Sequence, residues 1–139
     1  MNIEIKKYLG KWFEVAKISH IYENNMTNVT AEYEMNGDGS IKVVNSGYVN
    51  GKLKQVTATA YTTNNNDVLK ISFVPNIYSE YKILAVDKNY QYALVGGMTK
   101  NHLWILSRTT QLPQYILNNF LNVAEKHGYN INRLKMTKN

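Results

Sequence analysis

Residues 29–61, with the sequence VTAEYEMNGDGSIKVVNSGYVNGKLKQVTATAY, decide the fold because apolar and polar side chains alternate along them. From Val29 to Met35, every second side chain is apolar, and those between are threonine or glutamate. A period of two is typical of a β-strand with one buried face. Asn-Gly pairs at 36–37 and 50–51 separate the alternating segments, and this dipeptide favours the tight turn of a β-hairpin. The stretch therefore predicts consecutive antiparallel strands joined by short turns.

The same alternation continues on both sides of this stretch. It predicts further strands over 11–20, 69–73, 78–87, 92–97 and 102–107. After Pro113 the apolar period changes, which predicts an amphipathic helix over about 113–127 that Gly128 ends. A short last strand is predicted over about 131–136. The order of elements is therefore eight sequential strands followed by one helix.

A sheet of sequential hairpins has two open edges, and closing it into a barrel removes both. The sequence therefore predicts one all-β domain over residues 1–139, an eight-stranded up-and-down antiparallel β-barrel over about 10–108 with a C-terminal α-helix packed outside. The segment from Leu103 to Leu106 is apolar on both faces, so its outer face needs a cover. The amphipathic helix must lie on the outside of the sheet.

A barrel of eight strands either holds one small ligand or is filled by its own side chains. The predicted inner face combines many small residues with a few aromatic ones: Ala16, Ala31, Gly47, Ala58, Ala60, Ala85 and Ala93 with Tyr33, Phe73, Tyr81 and Trp104. Small residues leave volume, so we expect a cavity. The tyrosines at 33, 78 and 81 are candidates for a wall that is apolar with polar tips.

The composition excludes several chemistries. Cysteine is absent, which excludes disulfides, zinc–thiolate sites, iron–sulfur clusters and a cysteine nucleophile. The three histidines, His20, His102 and His127, are far apart in the sequence, and no metalloprotease, phosphate-loop or serine-hydrolase motif occurs. We therefore predict no catalytic residue, no metal site and no cofactor. The net charge of +6 comes from scattered lysines, which favours a solvated surface over a nucleic-acid-binding face.

Three stretches resemble the signatures of the lipocalin family. Gly10–Ala16 reads GKWFEVA, Val86–Tyr90 reads VDKNY, and Leu103–Arg108 reads LWILSR, in the family's order and with a helix after the third. The resemblance covers nearly the whole chain and is closest to bacterial lipocalins and their apolipoprotein-D-like relatives. It implies a structural role for five signature residues: Gly10, Trp12, Asp87, Tyr90 and Arg108.

The resemblance implies that Trp12 lies at the closed base of the barrel, with the side chain of Arg108 across it. Stacking of a guanidinium on an indole is favourable by roughly 0.5 to 2 kcal/mol. Asp87 and Tyr90 are expected to brace a turn at the same end, so a functional site is expected at the open end. The N-terminal segment is short, which predicts a base that is less covered than in relatives.

The resemblance implies non-catalytic binding, transport or storage of a small hydrophobic or amphiphilic ligand, such as a fatty acid or a lysophospholipid. The candidate ligand-binding residues are Glu14, Ala16, Tyr33, Val43, Ala58, Leu69, Ile71, Phe73, Tyr81, Ile83 and Trp104. Glu14 shares the inner parity of Trp12. Three roles stay open for its carboxyl group: a structural partner, an anchor for a ligand headgroup, or catalysis.

Besides a nucleic-acid-binding barrel, two other functions compete with the carrier. One is a lipocalin-fold enzyme acting on a lipid, and the other is a cytosolic fatty-acid-binding protein. The second is disfavoured because residues 20–28 are too few and too polar for the two helices that such proteins place after the first strand. The expected partners are the ligand and, peripherally, membrane lipid, with no nucleic acid and with a monomer or weak homodimer.

The expected location follows from the N-terminus. Residues 1–10 contain no apolar core of the signal-peptide type, and there is no cysteine for a lipid anchor. We expect a cytoplasmic protein as the sequence stands, or one of the periplasm or cell envelope if a leader has been removed.

Overall fold

Short turns join strands that are neighbours both in sequence and in space. The structure, a computed structural model, describes residues 2–19 and 26–139, so His20 lies outside the described residues. The described elements are α1 (Ile5–Tyr8), β1 (Gly10–Ile18), β2 (Thr27–Met35), β3 (Ile41–Val49), β4 (Lys52–Thr62), β5 (Val68–Val74), β6 (Ile77–Val86), β7 (Tyr92–Gly96), β8 (Leu103–Ser107), α2 (Gln114–Lys126), a 3-10 helix (Ile131–Arg133) and β9 (Lys135–Met136).

The sheet closes on itself. Hydrogen-bonded neighbours run in sequence order from β2 to β8, β8 pairs with β1, and β1 pairs back with β2. Every pair in this ring is antiparallel. This confirms the predicted eight-stranded up-and-down barrel.

The last strand completes one edge of β1. Pairing between β1 and β2 ends at Phe13, and beyond it β9 pairs with β1 through Ala16 opposite Met136. The expected strand over 131–136 is thus shorter than the sequence suggested, because Ile131–Arg133 forms a 3-10 helix whose first turn is capped by the Asn130 side chain.

Apolar side chains form two separate layers, one inside the barrel and one outside it. The inner layer contains Trp12, Tyr33, Val43 and side chains from every strand of the ring. The outer layer lies between the sheet and α2, where Ile116, Phe120 and Ala124 of the helix join Leu103 and Ile105 of β8. The helix therefore covers the outer face of β8, which was predicted because residues Leu103 to Leu106 are apolar on both faces of that strand. No helix in the described part of the chain is long and apolar enough to span a bilayer.

Two β-bulges change which side chains point inward. The β1–β8 register shifts between Glu14 and Ala16, so Ala16 pairs with Ile105 on the outer face. A bulge adds one residue to a strand and reverses the parity beyond it. The prediction that Ala16 faces the interior is therefore wrong, and the side chain of Ala16 packs beneath the helix. A second shift, between Ile83 and Ala85, has the same consequence, since Ala85 packs against the outer layer.

The N-terminal segment closes one end of the barrel. Ile3 and Tyr8 are 4% and 0% exposed, and the carbonyl oxygen of Tyr8 accepts a 2.8 Å hydrogen bond from Trp12 Nε1. The base is therefore covered by this segment, and the expectation that it is less covered than in relatives stays a prediction. The segment is short, but it packs its apolar side chains directly on Trp12.

Arg108 lies over the same end. Its Cζ atom is 3.8 Å from the centre of the Trp12 ring, and its guanidinium donates three hydrogen bonds of 3.0 Å to the carbonyl oxygens of Lys7, Lys11 and Tyr90. Gly10 has a φ of +97°, and a Cβ there would lie 3.3 Å from Arg108 Nη1. Only glycine combines this backbone conformation with room for the guanidinium.

Asp87 and Tyr90 organise the turn between β6 and β7 at the closed end. Asp87 Oδ1 accepts 2.7 Å hydrogen bonds from the amides of Gln91 and Tyr92. Tyr90 is buried, and its hydroxyl accepts a 2.9 Å hydrogen bond from the amide of Glu4. The turn is thereby tied to both Arg108 and the N-terminal segment.

Candidate functional site

A cavity of about 620 Å³ occupies the upper half of the barrel. Its floor is made by Tyr33 and Tyr81, and its mouth lies among the β3–β4, β5–β6 and β7–β8 connections, where Lys54, Phe73 and Met98 line it. Ligand pockets for small molecules typically measure roughly 300–1,000 Å³. The cavity is therefore large enough for a small organic ligand, and it opens at one end only, since the other end is closed by Trp12 and Arg108.

The structure brings most of the predicted ligand-binding residues together. Those that line the cavity are Glu14, Tyr33, Val43, Ile71, Phe73, Tyr81 and Trp104. They come from β1, β2, β3, β5, β6 and β8, so the wall is built by nearly the whole ring. Its apolar character comes from the alternation of these strands, which directs the apolar side chains inward.

Four predicted residues do not line the cavity. Ala58, Leu69 and Ile83 face the interior, but they belong to the packed layer beside Trp12 rather than to the open space. Ala16 is on the outer face because of the bulge in β1. Tyr78, expected in the pocket wall, is 47% exposed and packs against Tyr61 with ring centres 6.0 Å apart.

The polar floor is formed by Tyr33 and Tyr81, and the buried Tyr8 is hydrogen-bonded to it. The hydroxyl of Tyr81 is hydrogen-bonded to the hydroxyl of Tyr8 and, at 2.8 Å, to that of Tyr33. Burial raises the pKa of Tyr33 to about 12 and the pKa of Tyr81 well above its ordinary value. All three phenols therefore stay neutral at physiological pH. Three hydroxyl protons serve two hydrogen bonds, so one proton is left to donate to a further acceptor.

Glu14 is the only described acidic residue that is buried, and it lies in the cavity wall. Its Oε2 accepts a 2.7 Å hydrogen bond from the hydroxyl of Thr137, beside the β9 strand. Burial raises the pKa of Glu14, while the Thr137 hydrogen bond and the charge of Lys17 act in the opposite direction. The bond to Thr137 is the structural partner that a buried carboxyl group requires. The carboxyl group thus joins the cavity wall to the C-terminal segment.

The lining of the cavity includes polar groups that sequence reasoning missed. They are Thr30, Asn45, Ser46, Lys54, Ser79, Glu80, Thr99 and His102. Asn45 and Lys54 lie an even number of positions from the inward-facing Val43 and Ala58, so the alternation along β3 and β4 could have predicted that these two also face inward. Thr99 and His102 come from the β7–β8 connection, for which the period of a strand gives no information.

Met26 and Gly47 are a pair that only the three-dimensional packing reveals. Met26 lines the cavity, and a Cβ at position 47 would collide with its terminal methyl group. Gly47 therefore leaves the space that the Met26 side chain occupies.

The two described histidines lie in different places. His102 is at the cavity mouth, where its ring stacks on Trp104 at 6.0 Å, and His127 borders a separate outer hollow with Lys82 and Lys100. Within residues 2–19 and 26–139, no three histidine, aspartate or glutamate side chains gather as metal ligands. The site as described is a lined cavity with a polar mouth and a neutral hydroxyl floor.

Comparison with known proteins places this architecture in a family. The model of the lipocalin-like domain matches residues 3–139. The chain is 39% identical over 138 residues to the outer membrane lipoprotein Blc of Vibrio cholerae, covering 96% of this chain and 81% of that protein. It is 27% identical to bovine apolipoprotein D, covering 98% and 77% of the two chains. Among solved structures, lobster apocrustacyanin A1 superposes with a TM-score of 0.78 at 18% identity, covering 96% and 78%.

Proposed function

Because this chain belongs to the lipocalin family, whose members bind small hydrophobic ligands, we propose that it carries or stores a single-chain amphiphile, such as a fatty acid or a lysophospholipid, without catalysis. The observation that supports this proposal most directly is the cavity of about 620 Å³, which is lined mainly by apolar side chains and opens at one end. A ligand with an apolar tail and a polar head fits such an asymmetric space.

The polarity of the wall supports one orientation. The apolar middle, with Val43, Ile71 and Val95, suits the acyl tail, and the polar mouth, with Lys54 and His102, suits the headgroup. Lys54 is exposed and cationic, which favours an anionic headgroup. The spare hydroxyl proton at the floor would accommodate an oxygen atom at the far end of a ligand, but a plain tail leaves it unused.

The burial of an acyl chain is sufficient for useful affinity. Burying one methylene contributes about 0.8 kcal/mol, so a chain of about twelve carbons contributes roughly 10 kcal/mol. Association opposes this by about 4–15 kcal/mol; at the low end of that cost about 6 kcal/mol remains, which corresponds to a dissociation constant of tens of micromolar. Tighter binding requires that the cavity be preformed.

The test is a fluorescence titration with a fatty acid and a lysophospholipid, after native mass spectrometry of the purified protein. Trp104 lines the cavity and Trp12 is fully buried at the closed end, so Trp104 should report binding. The variant Trp104→Phe should lose the fluorescence change and keep the mass-spectrometric complex. One amphiphile per chain, released on denaturation, is the expected result.

A pair of matched variants tests the location. Ala31→Phe adds a ring inside the cavity, whereas Thr57→Phe adds the same ring on the exposed outer face of β4. We expect Ala31→Phe to weaken binding at least about tenfold, because the ring takes volume from the tail. Thr57→Phe should bind as the parent does. If no acyl ligand binds, or if both variants bind equally well, the proposal is wrong.

A further inference from the structure

We propose that the mouth of the barrel docks on the surface of a lipid bilayer that contains anionic lipids. The docking surface, called here the apolar rim, consists of Leu53, Phe73, Val74, Ile77 and Met98. Their side chains are 50%, 50%, 54%, 64% and 54% exposed. Met98 lies in the β7–β8 connection, and the other four lie at the strand ends that flank the β3–β4 and β5–β6 connections, all at the open end.

The concentration of exposed apolar side chains at this end is the first observation. Single exposed apolar residues are ordinary, whereas a group at one place marks an interaction surface. Among the described large apolar side chains, those at least half exposed are the five of the apolar rim together with Val56, Tyr115 and Met136. Val56 also lines the cavity, so only Tyr115 and Met136 lie away from the mouth.

The distribution of charge along the barrel is the second observation. The three closed-end turns each contain one aspartate, Asp38, Asp67 and Asp87, and the same end also carries lysines at 6, 7, 11 and 88. The described open-end turns contain no acidic residue. Lys52 is exposed beside the β3–β4 turn, and Lys100 is exposed in the β7–β8 connection, where its ammonium lies 4.8 Å from the centre of the Tyr129 ring. The described part of the open end is therefore basic, and in a chain with a net charge of +6 it is attracted to an anionic surface, while the apolar rim sets which end docks.

The shape of the surface favours a bilayer over a protein partner. The apolar rim surrounds an opening instead of forming a continuous face, and a fluid lipid surface adapts to a ring of separate side chains. Pairing of two mouths would bring Lys52 and Lys100 of one copy close to the same lysines of another. Like charges in such an arrangement oppose each other, so a second copy of this chain is disfavoured as the occupant.

Docking of the mouth on a bilayer goes beyond carrying a ligand because it determines how the ligand enters the cavity. A mouth seated on a bilayer joins the apolar cavity to the hydrocarbon of the membrane. An amphiphile then moves between the two without exposing its tail to water, which removes the largest barrier to transfer.

The first experiment is co-sedimentation of the full chain with vesicles of phosphatidylcholine, with and without phosphatidylglycerol. We expect binding to the mixed vesicles that decreases with added salt, since exposed charges are screened. The variant Leu53→Ser/Val74→Ser/Ile77→Ser should bind at least about tenfold more weakly, because three partly buried side chains are lost. The control Tyr115→Ser removes a side chain that is 71% exposed on α2 and should bind as the parent does.

A second pair of variants tests the charge. Lys52→Gln/Lys100→Gln removes two positive charges at the open end, and Lys6→Gln/Lys88→Gln removes two from exposed positions at the closed end. The net charge is the same in both. If docking is oriented, only the open-end pair should weaken binding. Equal effects of the two pairs would mean that the whole charge attracts the vesicle, and the proposal would be wrong.

The outcomes separate docking from ligand binding. Leu53, Val74 and Ile77 do not line the cavity, so the triple serine variant should titrate with fatty acid as the parent does. A parent that carries ligand but binds neither vesicle overturns the docking proposal and leaves the carrier function standing. A parent that dimerises in light scattering, with the dimer lost in the triple variant, also overturns it by assigning the apolar rim to a second copy.

Discussion

Removal of the Arg108 side chain should destabilise the barrel from its closed end. The guanidinium donates three hydrogen bonds of 3.0 Å to backbone carbonyls, and its Cζ atom lies 3.8 Å from the Trp12 ring centre. The carbonyls belong to Lys7, Lys11 and Tyr90, which are in three different segments of the chain. One side chain therefore ties together the N-terminal segment, β1 and the β6–β7 turn.

The magnitude follows from these contacts. A hydrogen bond from a charged donor contributes roughly 1.5–3 kcal/mol when buried, and about half of that at a partly solvated position. The stacking on Trp12 adds about 0.5–1 kcal/mol. Some of the freed carbonyls will bond to water, so Arg108→Ala should lower the free energy of unfolding by about 3 kcal/mol. Arg108→Lys should recover less than half, because one ammonium group cannot reach three carbonyls in the same planar arrangement.

The assay is urea unfolding, followed by tryptophan fluorescence. With a slope of about 1–3 kcal/mol per molar urea, Arg108→Ala should shift the midpoint by about 1–3 M. The control is Arg133→Ala, which removes the other arginine and its single exposed hydrogen bond to Asn101. It should change stability by less than about 0.5 kcal/mol. If Arg108→Ala matches this control, or if Arg108→Lys is as stable as the parent, the reasoning about the closed end is refuted.

Three further predictions concern other parts of the structure and use the same unfolding assay. Burial raises the pKa of Glu14 in the folded chain above its ordinary value near 4.5. The contribution of this group to the free energy of unfolding is therefore fully present below about pH 4.5 and is lost as the pH rises through the raised pKa. Glu14→Gln should therefore be more stable than the parent at pH 7 and lose this advantage at pH 4; a difference independent of pH would contradict the burial argument. Gly10→Ala should lower the free energy of unfolding by about 2 kcal/mol, and Gly39→Ala by about 1 kcal/mol. Both glycines have a positive φ, but only a Cβ at position 10 would lie close to Arg108. Equal losses would show that this close approach does not affect stability. Tyr81→Phe should lower the free energy of unfolding by about 2 kcal/mol and Tyr33→Phe by about 1 kcal/mol. The reason is that the Tyr81 hydroxyl takes part in both hydrogen bonds, to Tyr8 and to Tyr33. A larger loss for Tyr33→Phe would refute this arrangement.

The regular alternation of the strands made the fold predictable. The hairpin signals at 36–37 and 50–51 and the change of period after Pro113 give the order of elements directly. The two apolar faces of Leu103–Leu106 indicated a covered strand, and α2 provides the cover. These features are local, so a single sequence contains them in full.

The residues that line the site were less predictable, because alternation no longer tells which side chains point inward once a strand contains a bulge. Ala16 follows Glu14 by two positions, and only the pairing of β1 with β8 reveals that an extra residue places it outside. Nothing in the local sequence marks this bulge. The depth of a residue along the barrel is also set by register, so Leu69 and Ile71 share one face while only Ile71 reaches the cavity.

The ring of strands is closed by one seam, and this has a consequence for the order of folding. All other neighbours are hairpins, but β1 meets β8 through Phe13 opposite Ser107, and Thr137 bonds to Glu14 from 123 positions away. Contacts between distant segments form late, because the entropy of closing a long loop opposes them until the local contacts exist. Until the seam closes, β1 and β8 each expose an unpaired edge to other chains. The risk of aggregation is therefore greatest at the unpaired edges of β1 and β8. It lasts during synthesis until the C-terminal segment has emerged and the seam has closed.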